Sequence, residues 1–424
     1  MQEDFLHYIW KHKRFDVPNL RTTVDELISI VSVGQPNQNA GPDFFNAQLK
    51  IGDQLWAGNV EVHVKSSDWF LHNHEQDRAY DNVILHVVWE HDTDIFRKNN
   101  SVIPTLELKT FVSKAAIHNY EKLFSKSDRW INCENEFYNV DDFLISNWLE
   151  RLYFERLERK TNDINKLLEA SKNDWEAVLF KMLAKNFGLK VNGEAFLGMA
   201  NSFDFSIVRK CQSSPMSLEA LFFGQAKLLE EDIEDAYYKK ILAEFEYLTH
   251  KFKLKSNPNA PIQFFRLRPS NFPTIRLSQF AALYHKQQNL FSKVIETNTL
   301  NGLYDLFQVS ANIFWDTHYT FNTVSKSSKK ILTKSFVDLL LINTIIPLKF
   351  CYAKFQNKDI DTSILQIVQN IDSETNSILE KFNSLKLVSK SALQSQSLLQ
   401  LKNDYCDKNK CLQCAIGSSI LKSN

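Results

Sequence analysis

The sequence predicts an α+β protein, in which a mixed β-sheet domain over residues 1–112 precedes a larger, mainly helical region over residues 113–424. Two patterns indicate this fold class. Apolar and polar residues alternate in several segments before residue 112, which is typical of strands with one buried face, whereas apolar residues recur at helical spacing after it. A chain of 424 residues is also longer than most domains with a single core, which favours two units.

The first region is predicted to run in the order helix, three strands, helix, strand, strand. A short amphipathic helix opens it, and a loop rich in Gly, Pro, Gln and Asn at 34–42 precedes the second strand. Gly52-Asp53-Gln54 is predicted to form a hairpin turn. The predicted elements are a helix at 1–11, strands at 27–33, 44–51 and 55–65, a loop with a short helix at 69–80, and strands at 83–90 and 105–109.

The second region shows helical spacing with few strand signals. Its longest apolar segment, residues 336–348, is interrupted by Asp338 and Asn343 and is too short to span a membrane. The predicted helices cover residues 143–159, 174–187, 217–227, 236–252, 277–296, 329–353 and 364–385.

The composition predicts a folded, cytoplasmic protein. The residues are 44% hydrophobic and 24% charged, which is typical of globular domains. The first residues carry charges throughout and lack the apolar centre of a signal peptide. The 50 basic residues balance the 50 acidic ones, so no net charge draws the protein to nucleic acid or to an anionic membrane. Nucleic-acid binding would therefore need a local basic patch.

Residues 60–65 read Val-Glu-Val-His-Val-Lys, which is a strand pattern. Alternate side chains of a strand share a face, so Glu61, His63 and Lys65 are predicted to project together. With Asp43 upstream, they supply the carboxylates, imidazole and ammonium of a divalent-metal hydrolytic site. The solvated face of an antiparallel sheet shows the same alternation, so both interpretations stay open.

The placement of Asp43 after a short loop, followed by Glu61 and His63 separated by one residue on the next strand, resembles the motif of the PD-(D/E)XK nuclease superfamily. The resemblance covers the first region. It implies a restriction-endonuclease-like sheet domain in which Asp43 and Glu61 bind Mg²⁺ or Mn²⁺ and the substrate is DNA or RNA. His63 stands where that motif usually has lysine; imidazole accepts a proton near neutral pH, and Lys65 lies on the same face.

A second resemblance spans nearly the whole chain. The sequence is similar to an uncharacterised bacterial family, a domain of unknown function, which implies no activity. The segments that carry this similarity are Gly41-Pro42-Asp43-Phe44, Gly58-Asn59-Val60-Glu61-Val62-His63, Ser67-Asp68-Trp69, His72, His74, Tyr80, Leu85-His86-Val87-Val88, Lys185-Asn186-Phe187-Gly188, Asn192-Gly193 and the terminal cysteines.

A further group of candidate metal ligands lies close behind the strand that carries Glu61. His72 and His74 are two residues apart, Asp77 follows one turn later, and His86 lies on the next predicted strand. If these side chains converge, they are suited to a transition metal such as Zn²⁺ or Mn²⁺, because imidazole is a softer ligand than carboxylate. The alternative is a hydrogen-bonded loop without a metal.

The carboxy-terminal segment holds three cysteines, Cys406, Cys411 and Cys414, in the spacing C-x4-C-x2-C. Thiolates spaced in this way bind zinc or an iron–sulfur cluster, and either site needs a fourth ligand. Cys133 is the first candidate because it follows the predicted sheet domain. Free surface thiols are the alternative interpretation, and the sequence does not separate zinc from iron.

The functional expectation is a metal-dependent nuclease, or a nuclease-derived nucleic-acid-binding protein, in which Asp43 and Glu61 bind the metal and His63 is the base or orients the water. One alternative is a non-catalytic interaction protein, in which local hydrogen bonds cap these groups. Another is a hydrolase of a different substrate, in which the imidazoles converge on a metal. The geometry of the side chains distinguishes these three hypotheses.

Overall fold

The computed structural model describes residues 2–37, 39–125, 128–255, 262–358 and 362–422, and these form two compact units. The first unit is Met1–Trp148 with Leu401–Asn424, and the second is Leu149–Gln400. The predicted class, an N-terminal mixed sheet with a larger helical region, is confirmed. The division differs from the predicted boundary at residue 112. That boundary falls inside the first unit, and the carboxy-terminal segment belongs with the sheet.

The first unit is built on a mixed sheet in the order β1-β3-β4-β5-β6, with β2 paired to β3. Strand β3 is antiparallel to β1, β2 and β4, whereas β5 is parallel to β4 and β6 is parallel to β5. The predicted strands at 44–51 and 83–90 are confirmed residue for residue. The strands are β1 (Ile28–Ser32), β2 (Gln35–Pro36), β3 (Phe44–Ile51), β4 (Gln54–Lys65), β5 (Val83–Glu90) and β6 (Thr105–Glu107).

Helices accompany this sheet in the first unit and, among the described residues, form nearly all of the second unit. In chain order they are α1 (Glu3–Lys11), α2 (Asp68–Leu71), α3 (Lys114–Phe124), α4 (Asp142–Ala170), α5 (Trp175–Phe187), α6 (Leu189–Asn201), α7 (Phe205–Cys211), α8 (Pro215–Gln225), α9 (Ala236–Phe252), α10 (Pro273–Lys286), α11 (Leu290–Glu296), α12 (Leu300–Leu306), α13 (Lys334–Leu340), α14 (Ile346–Phe355), α15 (Thr362–Gln369), α16 (Ser377–Leu385), α17 (Ala392–Leu401) and α18 (Ala415–Lys422).

Helix α1 packs on β4 through one apolar face. Phe5 and Ile9 are buried on this face, as the helical spacing predicts. Glu3 and His7, one turn apart, are only half-buried. The ring of His7 meets the edge of Phe44 at a centroid distance of 6.0 Å. The helix therefore places a carboxylate and an imidazole beside the start of β3.

Strand β4 is covered on both faces at its centre, which excludes the solvated-face interpretation of its alternating pattern. Glu61 is only 4% exposed and His63 only 1%. Gly58 permits β4 to approach β5 closely, because a Cβ at this position would lie 2.6 Å from the carbonyl oxygen of Asn82. The register that follows places Glu61 beside His86. The two strands thus bring two buried polar side chains together.

The second unit has one large apolar core in which aromatic rings pack against one another. Phe180 and Phe280 stack at 5.1 Å, and Phe187 lies 4.9 Å from Phe280. The predicted helix at 277–296 ends and restarts at Asn289, which has a φ of 53°, and the predicted helix at 364–385 is divided into α15 and α16. A small hairpin, β7 (His318–Thr320) and β8 (Thr323–Val324), has no counterpart in the prediction.

A continuous helical stretch, Lys334–Phe355, runs from α13 through a π-helical turn into α14. By length and composition it suffices to cross a membrane, with a mean hydropathy of 1.6 in its most apolar window. However, 72% of that window is buried inside the protein. Core helices of soluble proteins show the same combination, so this stretch is weak evidence for a membrane span. Among the described residues it is the one stretch that meets these criteria.

Candidate functional site

Asp43 and Glu61 lie together, as the motif predicts. The backbone N–H of Asp43 donates to Oε2 of Glu61 at 3.1 Å, and the backbone N–H of Val62 donates to Oδ2 of Asp43 at 3.0 Å. The two neighbouring strands thus exchange hydrogen bonds through the two carboxylates. Asp43 is partly exposed, whereas Glu61 is buried. The pair therefore joins a buried acidic group to one that solvent can reach.

Helix α1 adds two side chains to this pair. His7 Nε2 lies 3.2 Å from Oδ2 of Asp43 and 3.7 Å from Oε1 of Glu3. The ligand atoms of Glu3, His7 and Asp43 all lie within 4.8 Å of one another, which is the spacing of groups that hold one metal ion. Burial lowers the pKa of His7, but the carboxylate of Asp43 outweighs that effect, so the pKa is raised.

The loop after β4 brings two histidines over the same face of the strand. The backbone N–H of Lys65 donates to Oδ2 of Asp68 at 2.9 Å, which folds α2 back at the strand end. Asn73, with a φ of 57°, then turns the chain between His72 and His74; asparagine tolerates this left-handed conformation better than most residues. This loop geometry explains why two histidines two residues apart both reach β4.

The histidines meet in a continuous chain. His63 Nδ1 lies 2.9 Å from Nε2 of His86, and His63 Nε2 lies 3.1 Å from Nδ1 of His72. Ligand nitrogens of His63, His72 and His74 all lie within 4.8 Å of one another. His86 is fully buried and contacts this group only through His63. It is therefore placed to fix the orientation of the His63 ring.

Glu61 lies between the two groups of candidate ligands. Its Oε1 is 3.5 Å from Nε2 of His63 and 3.3 Å from Nε2 of His74, while Oε2 faces Asp43. The ring of Tyr80 stacks on His74 at 3.8 Å and closes the site on its inner side. Exposed His72 opens the opposite side to solvent. The group thus extends from the exposed His72 to the buried carboxylate of Glu61.

Burial and neighbouring groups shift the pKa values of the carboxyl and imidazole groups at this site. Burial, followed by the neighbouring Asp43 carboxylate, raises the pKa of Glu61 well above its usual range. Burial, together with His74 and His72, lowers the pKa of His63 to about 3. His63 is therefore neutral at physiological pH and presents a lone pair rather than a positive charge. Buried acidic oxygens and neutral imidazoles side by side are the environment in which a divalent cation is stable.

Two predicted site residues do not join the group. Asp77 Oδ1 instead accepts the backbone N–H of Ala79 at 2.9 Å and caps a short 3₁₀ turn, so its role is local. Lys65 is exposed at the end of β4, and its backbone rather than its ammonium group makes the contact with the loop. Glu3 and His7 were missed. Their i,i+4 spacing on the polar face of α1 is a signal, but it is common on helices.

The four predicted cysteine ligands do come together, in a different part of the first unit. Cys133, Cys406, Cys411 and Cys414 line one small apolar space. None of them forms a disulfide. The arrangement agrees with the predicted quartet and gives the carboxy-terminal segment its place beside the sheet unit.

A family model described as "Protein of unknown function (DUF2851)" matches residues 3–377. The chain belongs to this family. The predicted membership in an uncharacterised family is thereby confirmed. The region matched to DUF2851 contains Glu3, His7, Asp43 and Glu61, and it ends before Cys406. No curated protein and no solved structure matches the chain.

Proposed function

We propose that this protein is a metal-dependent nuclease that hydrolyses phosphodiester bonds at the cleft formed by β3, β4 and α1. One observation carries the proposal: Asp43, whose backbone N–H donates to Oε2 of Glu61 on the neighbouring strand, lies in one group of candidate ligands with Glu3 and His7. The order of elements also supports it: apart from the two-residue strand β2, a helix, three strands, a helix and a strand follow one another, as the PD-(D/E)XK resemblance implies. His63, two residues after Glu61, faces the same cleft.

The side chains present suit a divalent cation. Asp43, Glu61 and Glu3 offer carboxylate oxygens, which Mg²⁺ and Mn²⁺ prefer, and His7 adds an imidazole, which Mn²⁺ accepts more readily than Mg²⁺ does. A divalent cation bound there supplies positive charge to the phosphate and lowers the pKa of a coordinated water. We therefore expect Mn²⁺ to support cleavage at least as well as Mg²⁺.

The protein residues have separate roles in this proposal. Asp43 and Glu61 hold the cation, and Glu61 also fixes β3 through the backbone N–H of Asp43. Neutral His63 holds His72 through the 3.1 Å contact between its Nε2 and Nδ1 of His72, and this pair orients the attacking water. Exposed Lys65 attracts the phosphate backbone from solvent and does not touch the reacting atoms.

The test is cleavage of single- and double-stranded DNA and RNA with Mg²⁺ or Mn²⁺. We expect the wild type to cleave at least one of these substrates, and Asp43→Ala and Glu61→Ala to abolish that activity because each removes a metal ligand. Asp53→Ala is the matched control, since Asp53 is an exposed carboxylate in the β3–β4 turn. Equal activity in the wild type and in both site variants would refute the proposal.

His86 provides a second prediction, because it acts as a positioning residue behind His63. His86→Leu keeps most of the buried volume but removes the 2.9 Å contact with Nδ1 of His63. We expect activity to fall about 10–100-fold, as is usual when a partner behind a site histidine is lost. His86→Gln, whose amide reaches the same position, should restore most of the rate. If the Gln and Leu variants are equally impaired, the hydrogen bond has no such role.

A second candidate function rests on the convergence of His63, His72 and His74. Three imidazoles at this spacing suit Zn²⁺, and such a site favours metal-dependent hydrolysis of a substrate other than nucleic acid. The convergence agrees with this alternative, although Asp77 takes no part in it. Hydrolysis that requires His72, tolerates Asp43→Ala and is fastest with Zn²⁺ would favour this candidate over the nuclease.

A further inference from the structure

We propose that Cys133, Cys406, Cys411 and Cys414 bind an iron–sulfur cluster in the first unit. The four cysteines come from two segments that are far apart in sequence, the turn after α3 and the carboxy-terminal segment. All four line a single space. The residues of this site are different from the carboxylates and histidines of the proposed nuclease site, so the two proposals can be tested independently.

The surroundings of the sulfurs are those of a built site. The other residues that line the space are mostly apolar: Ile131, Phe137, Leu401, Tyr405 and Ile416. Cys133, Cys411 and Cys414 are buried, and Cys406 is half-buried. Four thiols concentrated in an apolar space have no structural advantage over aliphatic side chains of similar size, since cysteine packs as a small apolar residue. Their shared position is explained if the sulfurs are ligands.

The local backbone fixes the last two cysteines in place. Cys411 and Cys414 flank a 3₁₀ turn, and the backbone N–H of Ser418 donates to the carbonyl oxygen of Cys414 at 2.8 Å. Gly417 lets α18 begin directly against this turn, because a Cβ there would lie 2.2 Å from the carbonyl oxygen of Cys411. The glycine that follows the cysteine motif is therefore required by the close approach of two backbones.

Polar hydrogens point at the sulfurs. The side-chain amide of Asn132 donates to Sγ of Cys411 at 3.5 Å, and the backbone N–H groups of Ile416 and Gly417 face Sγ of Cys414. Such N–H···S contacts stabilise thiolates that hold iron–sulfur clusters and influence their potentials.

The spacing of the sulfurs distinguishes a cluster from zinc. Four thiolates about 2.3 Å from one tetrahedral zinc lie about 3.8 Å from one another. Among the described residues, the groups whose ligand atoms all lie within 4.8 Å are the two around β4, and neither contains a cysteine. No three of the four Sγ atoms therefore all lie within 4.8 Å of one another, whereas the ligands of a single zinc ion do. An iron–sulfur cluster, which Cys₄ sets bind through several irons, separates its ligands further.

The experiment is metal and sulfide analysis of the full chain purified without oxygen. We expect iron and acid-labile sulfide in stoichiometric amounts and a visible absorption band that reduction bleaches. Cys133→Ser and Cys414→Ser should each lose iron, sulfide and colour. Cys211→Ser and Cys351→Ser are matched controls, because these buried cysteines of the second unit line no shared space with the quartet, and both should retain the cluster.

Metal and sulfide analysis of the wild type tests the proposal by itself, even where a serine variant fails to fold. One equivalent of zinc without sulfide would overturn it in favour of a zinc site. Six thiols that titrate in protein free of iron and zinc would overturn it in favour of structural cysteines. Retention of iron and sulfide by Cys133→Ser would overturn the assignment of that ligand.

Discussion

Glu61→Gln is expected to lower metal-dependent cleavage by about 10³-fold while leaving the protein as stable as the wild type or more so. The amide keeps the size of the side chain and still accepts the backbone N–H of Asp43, which is 3.1 Å away. It replaces a carboxyl group that is 4% exposed and whose pKa is raised by burial and by the neighbouring Asp43. Because ionising this buried group costs free energy, an uncharged amide in its place does not destabilise the metal-free fold.

The reason for the opposite effects is that, in the proposed site, the charge of Glu61 serves a bound cation, whereas the hydrogen bond from Asp43 needs only an acceptor oxygen, which glutamine keeps. Metal binding stabilises the native state by about 2.7 kcal/mol when the free metal is at 100 times its Kd. The melting temperature of the wild type should therefore rise with Mn²⁺, and that of Glu61→Gln should rise much less. This measurement tests metal binding without reference to any substrate.

Glu90→Gln is the matched control for this pair of measurements. Glu90 lies at the exposed end of β5, the strand parallel to β4, so the substitution is chemically identical but lies outside the site. It should change neither cleavage nor the response to Mn²⁺. If Glu61→Gln cleaves at the wild-type rate, or if Mn²⁺ stabilises both variants equally, Glu61 is not a metal ligand.

Much of the sheet and half of the site could be predicted from sequence, because both rest on local signals. The strand at 44–51 alternates buried and more exposed residues, whereas the strand at 83–90 is a short apolar run that is buried on both faces. Asp43 and Glu61 are separated by one hairpin, so a pattern on two adjacent strands suffices to bring them together. In such cases the sequence separation is short and the geometry follows from the turn.

The remainder depends on tertiary contacts that no local pattern contains. Glu3 and His7 reach Asp43 because α1 packs across β4, and amphipathic spacing does not specify which strand a helix will cover. Asp77 shows the converse: it is near the histidines in sequence, but its carboxylate is used by a local cap. Proximity along the chain therefore pointed to an acidic residue that lies outside the group, whereas helix packing brings Glu3 into it.

The second unit contains a buried acid that the sequence gives no reason to single out. Glu219 lies in α8 and is 2% exposed. It accepts hydrogen bonds from the hydroxyl of Tyr237 at 2.7 Å, from the hydroxyl of Ser278, and from Nδ2 of Asn312 at 3.1 Å. These donors lie in α9, in α10 and before the 3₁₀ turn at Ile313–Asp316, so one side chain ties four segments together.

Glu219→Ala is expected to lower the free energy of unfolding by about 3–4 kcal/mol. The substitution removes the carboxyl group, and three buried donors lose their hydrogen-bond acceptor. The urea midpoint of the full chain should fall, and the Glu219→Gln variant, which keeps one acceptor oxygen, should lose less. Exposed Glu230 supplies the control, since Glu230→Ala should change the midpoint little. A midpoint unchanged in Glu219→Ala would show that the acid is not a structural link.

The pH dependence of this effect has a definite sign. Burial raises the pKa of Glu219 above its unfolded value, even though the hydrogen bonds from Ser278 and Tyr237 lower it. The native state therefore binds the Glu219 proton more tightly than the unfolded state does, which stabilises the fold at low pH. This stabilisation is lost as pH rises from the pKa of Glu219 in the unfolded chain through its higher pKa in the folded protein. Glutamine does not titrate, so the deficit of Glu219→Gln relative to the wild type should shrink between pH 5 and pH 8. A deficit that grows over this interval would mean that the carboxylate is the form the fold prefers.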